Sequence, residues 1–360
     1  MRYCTSIGID THAKKNTICA LVKETGEILK VTLSADPKEL IRWIEAQDFS
    51  KPLRCCYETG PTGFGLAREL NEAGIHCVVA ATSKLPYRAD RQKNDRIDAE
   101  WLARMLEAGA VRPVMIPTKE EESLRHLSRL RGEIASDLRK AKQRVASFLL
   151  LTNTSYTLTK KRWTKTFNKW AEHYEFECAA DTFVFRMKVS ATLRLAERLD
   201  EVEAEIMRII EANPDLAGKM KRFCALRGVG KVTAFSLVCE VYDFERFRNG
   251  AAFASYIGLV PSENSTGEKV AKGKIAKQGN SHLRRIIVEA ASCYSKPIKD
   301  VASEDVSVPE PVRAKAEKCK HRLRKRSIAL RKRGVTPNKA KVAVARELCE
   351  WIYHIAVMVA

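Results

Sequence analysis

The chain has 360 residues and a formal net charge of +20, with 64 lysines and arginines against 44 aspartates and glutamates. Its length predicts two or three domains, and its charge favours a polyanionic partner, nucleic acid before an acidic membrane, over a merely basic soluble protein. No run of about 18 apolar residues and no signal-peptide pattern occurs, so we expect no membrane-spanning segment and a cytoplasmic location.

The eleven cysteines include no Cys-x-x-Cys pair, and most lie inside apolar runs. This spacing predicts neither a zinc site nor a disulfide framework. Buried, reduced thiols in a cytoplasmic protein are the better interpretation.

The N-terminal part begins with strand-like alternation. Ile7 and Ile9 fall on one face of the first predicted strand, and Gly8 and Asp10 fall on the other. The first three strands are expected to form an antiparallel meander. The predicted strands are residues 3–10, 16–22, 27–33, 53–58 and 75–80, and the predicted helices are residues 37–45, a stretch that ends near 73, and residues 95–107.

Four carboxylates occupy conspicuous positions in this part. Asp10 and Glu58 each end a buried strand, and Asp95 and Asp98 are spaced i, i+3 on one helix face. If they cluster, a divalent ion offsets their repulsion, and hard oxygen ligands suit Mg²⁺ or Mn²⁺ and phosphoryl transfer. The alternative is that the first two are turn residues and the last two a solvated helix start.

A family resemblance is carried by these acids. The segments Ile7-Gly-Ile-Asp10-Thr-His, Tyr57-Glu58-Thr-Gly and Asn94-Asp95-Arg-Ile-Asp98-Ala resemble the RuvC-like domain of the DEDD transposases. This family, of the insertion-sequence 110/1111 type, includes bridge-RNA-guided recombinases and is related to the Piv DNA invertases. The resemblance covers about the first 110 residues and implies an RNase H-like fold in which the four acids bind metal and are catalytic. Lys93 and Arg96 flank the acids and are candidates for phosphate contacts, with plain surface charge as the alternative.

The middle of the chain shows helical periodicity. Residues 118–151 carry an apolar stripe that includes Leu127, Leu130, Ile134 and Ala141, and a heptad seam follows at residues 195–209. We expect an antiparallel coiled-coil hairpin or a dimerisation arm, and hence a homo-oligomer. The joining segment interleaves cations with aromatic side chains, which suits nucleic-acid binding or a helix that packs its aromatics on the arm. Its candidate nucleic-acid contacts are Lys160, Lys161, Arg162 and Trp163.

A short glycine turn opens the C-terminal third. Gly228, Gly230 and Lys231 lie between two apolar helices, as in a helix-hairpin-helix element that binds DNA without reading its sequence. The alternative is a purely structural tight turn.

A turn rich in hydroxyl groups follows the run Gly-Leu-Val-Pro261. Residues 220–295 resemble the C-terminal transposase domain of the same family, in which a serine after the proline is the nucleophile on DNA. The matching residue is Ser265, and Ser262 and Thr266 compete with it because turn lengths vary. The cations around this turn are candidate DNA contacts: Lys269, Lys272, Lys274, Lys277, Arg284 and Arg285.

The predicted fold is therefore α/β plus α. It consists of an RNase H-like (RuvC-like) domain at residues 1–115, a coiled-coil arm at 116–215 and a mostly helical transposase domain with a helix-hairpin-helix element at 216–360. The resemblance implies a DNA transposase that uses Mg²⁺ or Mn²⁺ and a serine nucleophile, with element-end and target DNA and a structured bridge RNA as partners. Two alternatives stay open: a metal-dependent nuclease or junction resolvase that uses water, and a non-catalytic nucleic-acid binder.

Overall fold

The chain divides into two compact units, Met1–Thr118 and Lys119–Ala360. The computed structural model describes residues 4–86, 94–158, 162–263, 272–298 and 308–358. All but the first three residues of the predicted arm at residues 116–215 fall within the second unit, and the three-part division of the chain stays a prediction. All eleven cysteines are free, and most of them are buried.

One mixed sheet organises the first unit. Its strands are β1 (Thr5–Thr11), β2 (Lys15–Val22), β3 (Ile28–Ser34), β4 (Leu53–Glu58), β5 (Cys77–Ala80) and β6 (Pro113–Val114). They lie in the order β3-β2-β1-β4-β5-β6. The predicted antiparallel meander of β1, β2 and β3 is confirmed, and β4 and β5 run parallel to β1. The two-residue strand β6 was not predicted; its proline begins the strand at the edge of the sheet, where a missing N–H costs no ladder bond.

Three helices cover the two faces of this sheet: α1 (Pro37–Ala46), α2 (Gly65–Glu72) and α3 (Asp95–Glu107). Ile7 and Ile9 belong to the apolar core that also holds the buried side chains of α1 and α2. The opposite face, which includes Cys56, packs against Leu102 and Leu106 of α3. This mixed α/β architecture is compatible with the predicted RNase H-like fold.

Gly8 lets α3 pass directly over β1. A Cβ atom at this position would overlap the backbone of Ala99 and Ala103 of α3. The helix can therefore approach the strand closely only where the side chain is a hydrogen atom. Because Asp10 lies two residues further along the strand, it faces the same side as Gly8 and the helix.

We expect Gly8→Ala to destabilise the protein by about 3 kcal/mol or more, because the added methyl group meets backbone rather than a movable side chain. Urea unfolding of the full chain measures the effect. Gly65→Ala is the matched control, since a Cβ at this exposed helix position meets no atom within 4 Å and alanine favours helix. Equal stability of the two variants would contradict the close packing.

Long helices dominate the second unit. They are α4 (Lys119–Leu151), α5 (Lys165–His173), α6 (Ala179–Ala212), α7 (Pro214–Cys224), α8 (Lys231–Val241), α9 (Gly250–Ile257), α10 (Ser281–Ala291), α11 (Glu310–Lys332) and α12 (Pro337–Ala356). A small antiparallel hairpin of β7 (Pro261–Glu263) and β8 (Lys272–Ile275) lies between α9 and α10. None of the described helices is long and apolar enough to cross a membrane.

Helices α4 and α6 pack side by side, with α5 across one end. Val145 of α4, Phe167 of α5 and Phe185 of α6 share one buried cluster there. The predicted stripe on α4 is correct for Ile134 and Ala141 and wrong for Leu130, which is 41% exposed. The side-by-side packing agrees with a helical hairpin, and the coiled-coil designation stays a prediction.

The remaining helices form the largest apolar core of the chain. It joins one end of α6 to α7, α8, α9, α10, α11 and α12. Large side chains such as Phe235, Phe253 and Tyr294 are fully buried in it. This core holds the ends of the β7–β8 hairpin through α9 and α10.

Candidate active site

The first two predicted acids end neighbouring parallel strands. β1 pairs with β4 in the register Ile9 to Tyr57, so the following residues, Asp10 and Glu58, lie side by side at the same edge of the sheet. Side chains alternate along a strand, and both acids therefore face the side on which α3 packs.

The other two predicted acids lie in the first turn of α3. Asn94 caps this helix by accepting a hydrogen bond from the backbone N–H of Arg96 at 3.0 Å. Asp95 precedes Ala99 by one helical turn, and Ala99 lies over Gly8. The first turn of α3 is thereby brought to the strand edge at which Asp10 and Glu58 lie, and its dipole favours negative charge there.

A compact group of possible metal ligands results. Single ligand atoms of Asp10, His12 and Asp95 all lie within 4.8 Å of one another. The Nε2 atom of His12 lies 3.2 Å from Asp10 Oδ2 and 3.7 Å from Asp95 Oδ2. Two of the four predicted acids thus converge directly.

Glu58 and Asp98 border this group. Asp98 lies close enough for its charge to raise the pKa of Asp10, and Glu58 is placed beside Asp10 by the strand register. Their roles as ligands stay predictions.

The charges at this edge only partly compensate one another. Burial raises the pKa of Asp10; His12 opposes the shift, and the charges of Asp95 and Asp98 add to it. Asp95 behaves in the opposite way, because a hydrogen bond from Lys15 at 2.7 Å lowers its pKa. Lys15 therefore neutralises the charge of Asp95, the more exposed of the two carboxylates. The charge of Asp10 is compensated less, by His12 alone among the described residues.

This donor set fits a divalent cation. Clustered carboxylates supply hard oxygen ligands. The pKa of Asp10 is raised first by burial and further by the charges of Asp95 and Asp98, and a bound cation would offset both effects. An imidazole beside carboxylates is also compatible with Mn²⁺. The residues that could hold the ion are Asp10, His12 and Asp95, with the predicted acids Glu58 and Asp98 at their border.

His12 and Lys15 were not predicted as site residues. His12 follows Asp10 by two residues, so in an extended chain both side chains face the same side. That signal was available in the sequence. Lys15 begins β2, and only the tertiary packing of α3 on the sheet brings it to Asp95, 80 positions away.

The candidate nucleophile lies outside the described residues, together with Thr266 and Lys269. In sequence, these three residues lie between β7 and β8, the two strands of the described hairpin. Ser262, the third candidate, is exposed in β7, and its hydroxyl donates a hydrogen bond to the carbonyl oxygen of Lys274 at 2.9 Å. The hydroxyl of Ser262 therefore links the two strands of the hairpin.

The cations predicted around the hairpin fall into two groups. Lys274, Lys277 and Arg285 are exposed. Arg284 instead donates to the carbonyl oxygens of Ile257 and Gln278, at 2.8 and 3.5 Å, so its guanidinium closes the base of the hairpin. For Lys272 the structure describes the backbone alone.

The glycine turn before α8 also has two different halves. Gly228 has a φ of 86°, and a Cβ there would overlap the carbonyl oxygen of Ala290 in α10. Glycine is thus required at position 228 by its backbone conformation and by its close packing against α10. Gly230 is the residue before α8 and faces open space, and Lys231 beside it is exposed, which leaves this helix end accessible to an anion.

The remaining predicted contacts are scattered. Arg96 and Arg162 are exposed, and Lys93, Lys160 and Lys161 lie outside the described residues. Trp163 is half-buried, with its ring 5.0 Å from that of Phe167. Phe167 itself is fully buried, so in this segment the aromatic rings pack mainly on one another.

Known proteins resemble both units of the chain. Residues 7–154 match the DEDD transposase model of IS110 elements, and residues 220–304 match the Transposase IS116/IS110/IS902 family. A putative transposase of Sinorhizobium fredii is 34% identical over 97% of this chain and 88% of its own length. The transposase for insertion sequence element IS1533 of Leptospira borgpetersenii is 29% identical over 89% of this chain and 94% of its own.

A more distant relative extends the same pattern. The transposase for insertion sequence element IS1111A of Coxiella burnetii is 27% identical over 58% of this chain and 56% of its own length. The resemblance seen in the acid motifs and in the C-terminal segment is confirmed. The chain is a member of the IS110-type family of insertion-sequence transposases with a DEDD N-terminal domain.

Proposed function

We propose that this transposase cuts and rejoins DNA by metal-assisted transesterification, with Ser265 as the nucleophile. The observation that carries the proposal is the convergence of Asp10 and Asp95, from distant parts of the chain, on one edge of the sheet. Four acids serve no packing purpose at such an edge, and their mutual repulsion favours a cation-binding role.

Asp10, Glu58, Asp95 and Asp98 would hold Mg²⁺ or Mn²⁺. When bound, the ion supplies a Lewis acid beside the scissile phosphate. The chain's own residues prepare the edge for it: α3 directs its N-terminal end there, and Lys15 holds Asp95 in place with an ion pair of 2.7 Å.

The hydroxyl of Ser265 would attack the phosphorus of the scissile phosphodiester. The Oγ–P bond forms, the bond from phosphorus to the leaving deoxyribose oxygen breaks, the serine loses its proton and the leaving oxygen takes one up. The number of phosphoester bonds is conserved, so the strand can be rejoined without ATP. The hydrogen bond of Ser262 to the carbonyl oxygen of Lys274 favours Ser265 over Ser262, because the proton of Ser262 is already used.

Exposed cations would bind the DNA backbone around this reaction. Lys274, Lys277 and Arg285 provide positive charge beside the hairpin, and the open N-terminal end of α8 at Gly230 offers N–H donors. The proposed partners are element-end and target DNA, a structured bridge RNA and further copies of this chain, in the cytoplasm. The net charge of +20 supports polyanionic partners.

The test is a search for a covalent protein–DNA adduct. The full chain is incubated with DNA that contains the ends of its own insertion sequence, with RNA transcribed from that element and with Mg²⁺. We expect strand breaks that carry protein, are released by protease digestion and do not form in the presence of a chelator. Breaks without attached protein would favour the water-dependent nuclease, and salt-sensitive binding without breaks would favour the non-catalytic binder.

A further inference from the structure

A charged side chain is buried in the second unit, on a helix that contributes to its apolar core. Glu240 of α8 is fully buried. Its two carboxylate oxygens accept hydrogen bonds from Arg129 of α4 at 2.8 and 3.0 Å, and Arg125 of the same helix lies 3.6 Å away. Burial acts to raise the pKa of Glu240, but Arg129 and the other donors outweigh it and lower the pKa, so the carboxylate is ionised.

The same carboxylate holds the beginning of α10. Asn280, the N-cap of this helix, uses its side-chain amide twice. Its Oδ1 accepts from the N–H of Leu283 at 3.0 Å, and its Nδ2 donates to Glu240 at 2.7 Å. The bond to Glu240 is thus additional to the capping function that asparagine performs at other helix ends.

Glu240 also lies beneath the other end of the hairpin. The hydroxyl of Tyr256, near the end of α9, donates to the backbone oxygen of Glu240 at 3.3 Å. The chain between Tyr256 and Asn280 closes on itself there: Asn280 N–H donates to the oxygen of Tyr256 at 3.2 Å, and a Cβ at Gly279 would overlap that oxygen. Both ends of the β7–β8 hairpin are therefore held by one residue of α8.

Two residues after Glu240, Tyr242 has a strained backbone conformation and a buried hydroxyl group without a hydrogen-bond partner among the described residues. Tyr242 has φ 62° and ψ −71°, and its neighbour Asp243 donates to the oxygen of Val241 at 2.9 Å, a three-residue turn that non-glycine residues rarely adopt. The buried hydroxyl of Tyr242 has no hydrogen-bond partner among the described residues. A buried ion pair often adds little stability over apolar side chains of similar size, and strained residues cluster at functional sites. The network is therefore a candidate for a role in geometry.

We propose that Glu240 is a positioning residue for DNA cutting. Through Asn280 and Tyr256 it fixes the base of the β7–β8 hairpin, and through Arg129 it ties that base to the long helix α4. A shift of the helical arm would therefore move the hairpin. The inference rests on the proposed function, in which the segment between β7 and β8 supplies the nucleophile.

Asn280→Ser is the most selective test, because serine keeps the cap of α10 and loses the bond to Glu240. We expect the rate of DNA cutting at saturating DNA to fall on the order of 10- to 100-fold, because small misplacements of reacting groups lower rates by such factors. The DNA concentration for half-maximal rate should change by less than about twofold. Asn213→Ser is the matched control, since Asn213 caps α7 with the same 3.0 Å bond, to Leu216, and does not contact Glu240. The proposal is overturned if both variants cut DNA at the same rate.

An exchange of the two side chains provides a second test. Glu240→Gln alone leaves Arg129 without a carboxylate and is expected to reduce cutting. Adding Asn280→Asp returns one amide and one carboxylate to the same two positions, and we expect part of the rate to recover. A double variant no faster than Glu240→Gln contradicts the proposal.

Ser265→Ala, measured alongside, separates the two levels of inference. If Ser265→Ala cuts DNA normally, the proposed function and the positioning role fail together. If Ser265→Ala is inactive and Asn280→Ser is indistinguishable from Asn213→Ser, only the positioning role fails.

Discussion

Replacing Ser265 by alanine is expected to abolish the covalent protein–DNA adduct and to lower DNA cutting at least about a thousandfold, because the variant lacks the oxygen that we propose as the nucleophile. Binding to DNA should persist, since the positive charges of the chain are unchanged. The measurement is a denaturing gel of labelled element-end DNA before and after protease digestion. DNA binding is followed separately by a filter or fluorescence assay at one fixed salt concentration.

Ser262→Ala and Thr266→Val serve as comparisons in the same assay. Ser262→Ala loses a hydrogen bond to the carbonyl oxygen of Lys274 and should cut DNA within about tenfold of the wild-type rate. Thr266→Val keeps the shape of the side chain and removes only its hydroxyl. An adduct that survives in Ser265→Ala and disappears in either comparison variant would reassign the nucleophile.

Replacing Asp10 by asparagine is expected to separate activity from stability. Asp10 is the acid with raised pKa at the centre of the candidate metal group. We expect cutting and Mn²⁺ affinity to fall about a hundredfold or more, because one of the proposed metal ligands is lost. The metal-free protein, in contrast, should unfold at a higher temperature than the wild type at neutral pH.

The sign of the stability change follows from the direction of the pKa shift. In the folded protein the pKa of Asp10 lies above its ordinary value of 3.8, so between these two values the folded state binds more protons than the unfolded state. Stability therefore falls as the pH rises through this interval, and the ionised carboxylate costs stability at neutral pH. Asparagine removes that cost, and the gain should shrink as the pH is lowered towards 3.8.

Thermal unfolding of both proteins in a chelator, at neutral and at mildly acidic pH, checks this expectation. Asp48→Asn is the control for charge removal, since Asp48 is exposed and belongs to the same unit. A destabilised Asp10→Asn protein at neutral pH, with Asp48→Asn unchanged, would contradict the stability cost that burial and the neighbouring acids impose on the ionised Asp10.

Local pattern was sufficient for most elements of the first unit. The alternation around Gly8 correctly divided β1 into two faces, because side-chain direction in a strand depends only on neighbouring positions. The structure shows that one face lines the apolar core and the other packs against α3. The bounds of β4 and α3 also agree with prediction. The strand β6 was missed, since two residues carry too little pattern.

Periodicity was a weaker guide in the second unit. It placed Leu130 in the packed stripe of α4, yet Leu130 is exposed and Ser128 is buried, donating to Ser236 at 2.8 Å. A helix that contacts different partners along its length buries different faces in different places. A single apolar repeat along the whole helix therefore cannot predict which side chains are buried. The pairing of the exposed Arg129 with the buried Glu240, 111 positions apart, has no local signal either.

The sequence by itself determined the family and most elements of the first unit, and it singled out four acids as candidates, because motifs and alternation are properties of neighbouring residues. Only the tertiary structure decided which groups meet. It brought His12 and Lys15 to Asp95 and placed Glu240 under both ends of the β7–β8 hairpin. Such meetings depend on the packing of whole elements, in which a glycine such as Gly8 sets the distance and strand register sets the neighbour.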